Sequence, residues 1–186
     1  MPQKREMMRI IAGKYKRRLI YWPEDISIRP TKDRIREAIF AALGDIDNKT
    51  FLDFYAGSGS MGLEAISRGC KKTVFVDKGV SAIKCIKENI SLLNIKEDYE
   101  LLKMDDESAL KSFKENNIQF DIIFLDPPYK EGRYEEIIEF ILNNNIIGSH
   151  GIIIAESDHQ LILTHPSIIK EKQYKYGDIL VTFYGV

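Results

Sequence analysis

Cysteine is scarce in this chain. Cys70 and Cys85 are the only two among 186 residues. They have neither the number for a disulfide framework nor the spacing for a zinc site, and they read as reduced core or half-buried thiols. Histidine is almost as rare: His150, His159 and His165 lie in the C-terminal third, with no spacing that would gather a metal ion. No metal is therefore expected. No apolar run approaches the roughly 18 residues of a membrane span. The N-terminal Met-Pro-Gln-Lys-Arg-Glu-Met-Met-Arg is too polar for a signal peptide. The expectation is a cytoplasmic protein, without membrane partners and monomeric, whose translation starts at Met1, Met7 or Met8. Internal repeats and low-complexity tracts are also missing. With 44% apolar and 30% charged residues, the chain can bury a proper core as one domain with at most a small appendage.

What is present is unevenly charged. Residues 1–36 hold 11 Lys/Arg against four acids, a balance of +7, in a chain whose total is −1. The remaining 150 residues therefore carry −8. A basic arm on a mildly acidic body points to a polyanion partner. Met8 to Ala12 and Tyr15 to Trp22 read as two short strands around Gly13-Lys14. This basic, aromatic-bearing hairpin suits phosphate contacts and base stacking. Pro23 to Pro30 reads as a linker, which divides the chain into an extension at 1–30 and a main domain at 31–186. Thr31 is placed to cap a helix running to about Leu43, with Asp33 in its first turn and Gly44 ending it. Ile35, Ala38, Ile39, Ala42 and Leu43 form its expected apolar face.

From residue 50 onward a strand, a glycine turn or acid, and a helix recur four times. The strands fall at Thr50–Tyr55, Thr73–Val76, Tyr99–Met104 and Phe120–Leu125. A further strand, Gly151–Ala155, ends at Glu156. This is the pattern of an α/β, Rossmann-like fold with a mostly parallel sheet and right-handed crossovers. Ile168–Tyr176 and Ile179–Tyr184 are separated only by Gly177-Asp178, so a C-terminal antiparallel hairpin closes the sheet.

The chemistry gathers at one sheet edge. Gly57-Ser-Gly-Ser-Met-Gly62 follows a strand and opens a helix, a pattern that brings backbone close to a bound nucleotide. Asp77, 15 residues beyond Gly62, ends the next strand and is placed for ribose hydroxyls. Asp53 lies inside the first strand, Asp105-Asp106 ends the third, and Asp126-Pro127-Pro128-Tyr129 ends the fourth. Acids on four successive strands would repel a pyrophosphate but accommodate a sulfonium and an ammonium, which favours S-adenosylmethionine over a dinucleotide. A nicotinamide dehydrogenase would also need a hydride-site His or Tyr and a substrate domain. The two prolines stop the fourth strand and stiffen its loop. Asp126 and the Pro127 carbonyl can each accept one N–H of an exocyclic base amine, while Tyr129 stacks on the base. On chemistry alone that amine is guanine N2 or adenine N6.

Asp-Pro-Pro-Tyr together with the Asp53–Gly62 motif resembles the amino-group methyltransferases of nucleic-acid bases. Arg9-Ile-Ile-Ala-Gly13, Arg29-Pro-Thr-Lys-Asp-Arg-Ile-Arg-Glu37 and Leu52–Gly69 narrow the resemblance to the bacterial family that methylates guanine-966 N2 of 16S ribosomal RNA. It runs from about Arg9 to the C-terminus, with Ala12 standing where a second glycine is common and Asp106 where alanine is common. The resemblance implies a class I S-adenosylmethionine-dependent methyltransferase acting on 16S ribosomal RNA or an assembling small subunit. It implies cofactor contacts from Asp53, Tyr55, Ala56, Gly57, Ser58, Gly59, Gly62, Asp77, Lys78, Asp105, Asp106 and Asp126. Catalytic roles fall to Asp126, Pro127, Pro128 and Tyr129, and RNA contacts to Arg9, Lys14, Lys16, Arg17, Arg18 and Arg34. A DNA adenine-N6 methyltransferase and a non-catalytic RNA-binding assembly factor are the competing readings. The chain offers no segment for DNA target recognition, and an intact Asp126–Tyr129 loop argues against a non-catalytic role.

Overall fold

The computed structural model describes residues 7–23, 33–128 and 133–186. The elements are β1 (Met7–Arg9), β2 (Leu19–Tyr21), α1 (Asp33–Leu43), β3 (Thr50–Phe54), α2 (Ser60–Ser67), β4 (Lys72–Asp77), α3 (Val80–Leu93), β5 (Asp98–Lys103), α4 (Asp106–Glu115), β6 (Phe120–Leu125), α5 (Tyr134–Asn143), β7 (Ile147–Ser157), β8 (Lys170–Tyr176) and β9 (Ile179–Gly185). Thr31, Arg29-Pro30, Lys32 and Tyr129 lie outside the described residues.

The main sheet has seven strands in the order β5-β4-β3-β6-β7-β9-β8. β5 through β7 are parallel neighbours, and β9 runs antiparallel to both β7 and β8. The chain steps outward from β3 to β4 and β5, then crosses back to β6 on the other side of β3. That reversal opens a crevice between the C-terminal ends of β3 and β6, where open α/β sheets bind ligands. The register of β6 and β7 shifts between Phe120 and Ile122, because Gly148–His150 are accommodated near the start of β7. This is why β7 begins at Ile147 rather than at the expected Gly151.

Strand alternation sorts the apolar side chains onto two faces. Leu52, Phe54, Val74, Val76, Ile123, Leu125, Ile153 and Ala155 pack with Phe113 of α4 and with Tyr134, Ile137 and Ile141 of α5. The opposite face carries Phe51, Ile122, Phe124 and Ile154, covered by Ile35, Ile39 and Phe40 of α1 and by Met61 and Ala65 of α2. Further along that face, Phe75 packs beneath Leu63 and Ile66 of α2 and Ile86 and Ile90 of α3.

The face of α1 differs from the expectation. Ile35 and Ile39 are buried, but Arg36 and Phe40 join them, while Ala42 is exposed and Ala38 half-buried. Arg36 is fully buried because its guanidinium reaches back to the Arg9 carbonyl and to Asp33 at 3.1 Å, and lies 3.8 Å from Glu64. It is therefore withdrawn from the positive charge available to a polyanion.

The N-terminal strands also fold differently. β1 and β2 are only three residues each, and a loop from Ile10 to Arg18 joins them. This arm is fused to the body. Ile10 and Ile20 are fully buried, worth about 1.5–3 kcal/mol each, and Tyr15 is buried among the same helices. Tyr15 is thus a core residue rather than an exposed stacking platform, and its hydroxyl donates to Glu97 at 2.7 Å. The Lys14 backbone N–H closes the end of α2 on the Ser67 carbonyl at 2.7 Å. Gly13 is required at that contact, since a Cβ there would lie 1.8 Å from the same oxygen. Glu64 receives the Ile11 and Ala12 N–H groups at 2.8 and 3.0 Å.

Candidate active site

The crevice is built from strand ends. Asp53, fully inside β3, accepts the Gly62 N–H at 2.8 Å, which fixes the first turn of α2. Burial drives its carboxyl up to about 7 against the opposing Gly62 hydrogen bond, and the nearby Asp77 charge adds to the rise. Beyond β3, Tyr55 sits at φ 70, a conformation that costs a non-glycine residue about 1 kcal/mol or more. The Tyr55 and Ala56 N–H groups both donate to the Val76 carbonyl at 3.0 Å. Gly62 is where α2 meets the sheet, and a Cβ there would lie 2.2 Å from Phe75 Cε1. The sequence asks for glycine at this position for close packing, and the contact is with the sheet below.

Asp77 receives the Gly57 N–H at 2.9 Å on one oxygen and the Gly79 N–H at 2.7 Å on the other. It holds the glycine loop against β4, and each oxygen has a further lone pair with which it can accept. Ser58 is buried and Lys78 exposed. Asn89 of α3 ties this loop to the arm. It is fully buried, donates to the Ser58 carbonyl at 3.1 Å and to the Tyr21 carbonyl at 3.0 Å, and accepts the Tyr21 N–H at 2.7 Å.

The two acids after β5 have separate tasks. Asp105 caps α4 by accepting the Ser108 N–H at 2.7 Å, which holds its carboxyl below the ordinary range, and it is otherwise exposed. Asp106 accepts the Tyr55 hydroxyl at 2.7 Å and lies 3.7 Å from Arg133. Arg133 also pairs with Glu107 at 3.0 Å and Glu136 at 2.9 Å, so the start of α5 is strapped to the start of α4.

Asp126 directly follows β6. Although solvent reaches part of the residue, desolvation of its carboxyl raises it well above the ordinary carboxylate range, with the Glu156 and Asp53 charges adding to the rise. Pro127 is buried and Pro128 half-buried. The Tyr134 hydroxyl donates to the Glu156 carbonyl at 2.7 Å and lies 3.5 Å from the Pro127 carbonyl. The structure thus brings Asp53, the 55–62 loop, Asp77, Asp105, Asp106 and Asp126–Pro128 to one edge. Among the basic residues, Arg9, Lys14, Lys16, Arg17, Arg18 and Arg34 are exposed, away from the core. Lys14 is paired with Glu97, Arg9 lies 3.8 Å from Asp33, and Arg18 donates to the Leu92 carbonyl at 2.9 Å.

Sequence reasoning missed Glu64, Asn89, Arg133 and Tyr134, which act through contacts distant in the chain. It passed over Glu156, although an acid within or at the end of a strand was the signal followed at the other four strands. Among the described residues there is no group of three or more His, Cys, Asp or Glu that could hold a metal ion, and no helix long and apolar enough to cross a membrane. Burial pushes the Cys70 thiol up to about 12, in keeping with an inert thiol.

A switch-point crevice lined with carboxylates, a glycine loop on a buried acid and a strand closed by Asp-Pro-Pro define a Rossmann-like methyltransferase. The family model described as "Conserved hypothetical protein 95" matches residues 8–185, and the chain belongs to that family. It is 32% identical over 176 residues to "Ribosomal RNA small subunit methyltransferase D" of Haemophilus influenzae, covering 92% of this chain and 91% of that protein. It is 34% identical over 180 residues to the Bacillus subtilis protein YlbH, covering 95% of this chain and 98% of the relative. Among solved structures, a Thermus thermophilus protein superposes with a TM-score of 0.80 at 26% identity, over 96% of this chain and 99% of the other.

Proposed function

We propose that this protein methylates the exocyclic N2 amine of a guanine in small-subunit ribosomal RNA, using S-adenosylmethionine. The observation that carries the reading is Asp126-Pro127-Pro128 at the end of β6, beside β3 and the glycine loop that Asp53 and Asp77 hold. The name borne by its Haemophilus influenzae relative supports the RNA substrate.

The residues fit the cofactor. Burial raises the Asp53 carboxyl to about 7, so a cation bound beside it would favour its charged form. Asp77 offers acceptors for hydroxyls. Asp105, exposed at the tip of α4, is the acid for the adenine amine, because Asp106 is engaged by Tyr55 and Arg133. When bound, S-adenosylmethionine supplies a methyl group on a sulfonium, which an aligned amine takes in a single in-line displacement. The protein's task is alignment, and effective molarities on the order of 10⁵–10⁸ M are attainable that way. Asp126 and the Pro127 carbonyl each accept one N–H, turning the nitrogen lone pair toward the methyl group. Methylation obliges the nitrogen to shed a proton, and Asp126, which accepts one of its N–H groups, is the acid placed to take it. Tyr129 stacks on the extruded base. Extrusion costs a few kcal/mol, and the arm's exposed Arg9, Lys14, Lys16, Arg17 and Arg18, with Arg34, offset it through phosphate contacts.

The test is mass spectrometry of ribosomal RNA from cells with and without the gene, followed by labelled-methyl transfer in vitro to RNA or small subunits from the deletion strain. A single lost N2-methylguanosine restored by the purified protein is expected. Transfer to duplex DNA and none to ribosomal RNA would overturn the assignment.

A further inference from the structure

The parallel register sets a second carboxylate beside Asp126. Leu125 pairs with Ala155 at the end of β6, and Asp126 and Glu156 directly follow that pair, close enough for the Glu156 charge to act on the Asp126 carboxyl. Register partners in a parallel pair share a face, as do alternate residues along a strand. Asp53 is level with Phe124, and Phe124 with Ile154. Asp53 and Glu156 therefore lie on the face that carries Phe124, Ile154 and Met61, and Asp126 follows β6 at the same edge, where both of their charges act on its carboxyl. Glu156 is 2% exposed. Its backbone is fixed on one side by pairing with Val181 and on the other by the Tyr134 hydroxyl, the same hydroxyl that approaches the Pro127 carbonyl. The loop that grips the amine and the strand that carries Glu156 are thus indexed to each other.

Two adjacent acceptors suit one purine and not the other. In guanine the N2 amine is flanked by a ring N1–H, so two donors lie side by side. In adenine the N6 amine is flanked by a ring N1 lone pair, which would face a carboxylate. We infer that Glu156 is the specificity-determining residue that accepts the guanine N1–H while Asp126 and Pro127 hold the amine, an inference that rests on the proposed base-methylation reading. The closeness of the two acids also agrees with the raised carboxyl of Asp126, to which Glu156 is the leading charged contributor. A site built around a donor rejects an analogue that lacks it far more strongly than one built on shape.

The probe is 2-aminopurine, which keeps the N2 amine but presents a lone pair at N1. After mapping the acceptor by mass spectrometry, a small-subunit RNA is assembled by ligation with guanine or 2-aminopurine at that position. If naked RNA is not accepted, the RNA is reconstituted with small-subunit proteins. The wild-type protein is expected to favour guanine by at least about 100-fold in kcat/KM. In Glu156→Gln, whose amide can donate to N1, the preference is expected to fall to within about tenfold, with S-adenosylmethionine affinity changed less than about threefold. Equal use of both bases by the wild-type protein overturns the inference without any variant having to fold. An unchanged preference in a folded Glu156→Gln protein also overturns it. Failure of the wild-type protein to methylate any guanine instead removes the base-methylation reading itself.

Discussion

Replacing Asp53 by asparagine should make the protein more stable at pH 8, with the gain vanishing toward pH 5, and a poorer binder of its cofactor. Folding raises this carboxyl from its ordinary 3.8 to about 7, mainly through burial. A carboxyl raised by folding contributes most to stability below 3.8, and that contribution is lost as pH rises toward about 7. At 1.36 kcal/mol per pH unit the loss reaches about 4 kcal/mol at pH 8, but only about 1.6 kcal/mol at pH 5. Asparagine can accept the same Gly62 N–H without a charge. Burying its amide donors takes back about 1–3 kcal/mol, equally at both pH values. The difference between the two is therefore the clean quantity. The variant's advantage should be about 2.7 kcal/mol larger at pH 8 than at pH 5, or about 5–11 °C in Tm for a chain of this size. Differential scanning fluorimetry at the two pH values measures it. Calorimetric titration should show S-adenosylmethionine binding weakened about 10–100-fold at pH 8. In the unaltered protein, binding should tighten as pH rises through 7, because the cation favours the ionised acid. A Tm difference independent of pH, or an advantage smaller at pH 8 than at pH 5, would refute the argument.

Asp126→Ala is expected to abolish methyl transfer in the labelled assay while leaving cofactor affinity within about tenfold, since the remaining carboxylates still attract the cation; full activity in that variant would end its role as the gripping acid. Gly62→Ala pushes a methyl into Phe75 and should cost about 1–3 kcal/mol by chemical denaturation, while pairing it with Phe75→Leu should recover much of the loss. Glu64→Gln removes the counter-charge of the buried Arg36 and one of the arm's anchors, so a loss of about 3 kcal/mol or more is expected, with faster hydrogen exchange at Ile11 and Ala12.

Much of the architecture was legible because its signals are local. Four acid- or glycine-terminated strands, each followed by a helix, specify a parallel sheet without any knowledge of contacts, and Gly177-Asp178 specifies the closing hairpin. The carboxylate edge followed from the same pattern, since acids after buried strands fall on one side of such a sheet. What could not be read is long-range. Arg36 sits on the solvent side of any charge tally, and only the three-way contact with Arg9, Asp33 and Glu64 shows that it is a buried strut. Tyr15 and Ile20 alternate with basic residues as an exposed hairpin would, yet the amphipathic arm lays that side on α2 and α3. The division of labour between Asp105 and Asp106 depends on where Tyr55 and Arg133 reach, from 51 and 27 residues away along the chain respectively.

The fusion of the arm to the body changes how its proposed RNA role has to be tested. Deleting it would remove Ile10, Ile20 and Tyr15 from the core, and would strip Asn89 of the Tyr21 partner that helps hold it on the Ser58 carbonyl of the cofactor loop. Loss of activity on deletion would then report damage to the methyl-donor site as readily as loss of RNA contacts. Exposed charge is the separable variable. Lys16 and Arg17 project from the loop between β1 and β2, and the side chains of Ile10 and Ile20 do not depend on them. Lys16→Glu with Arg17→Glu should leave Tm and S-adenosylmethionine affinity unchanged while weakening RNA binding. If the intact arm makes about six phosphate contacts, its affinity falls roughly 10³-fold between 50 and 200 mM salt. Removing two contacts lowers the slope of log affinity against log salt by about 1.4–1.8. An unchanged slope in the folded variant would place the RNA elsewhere on the protein, even if methylation itself persisted.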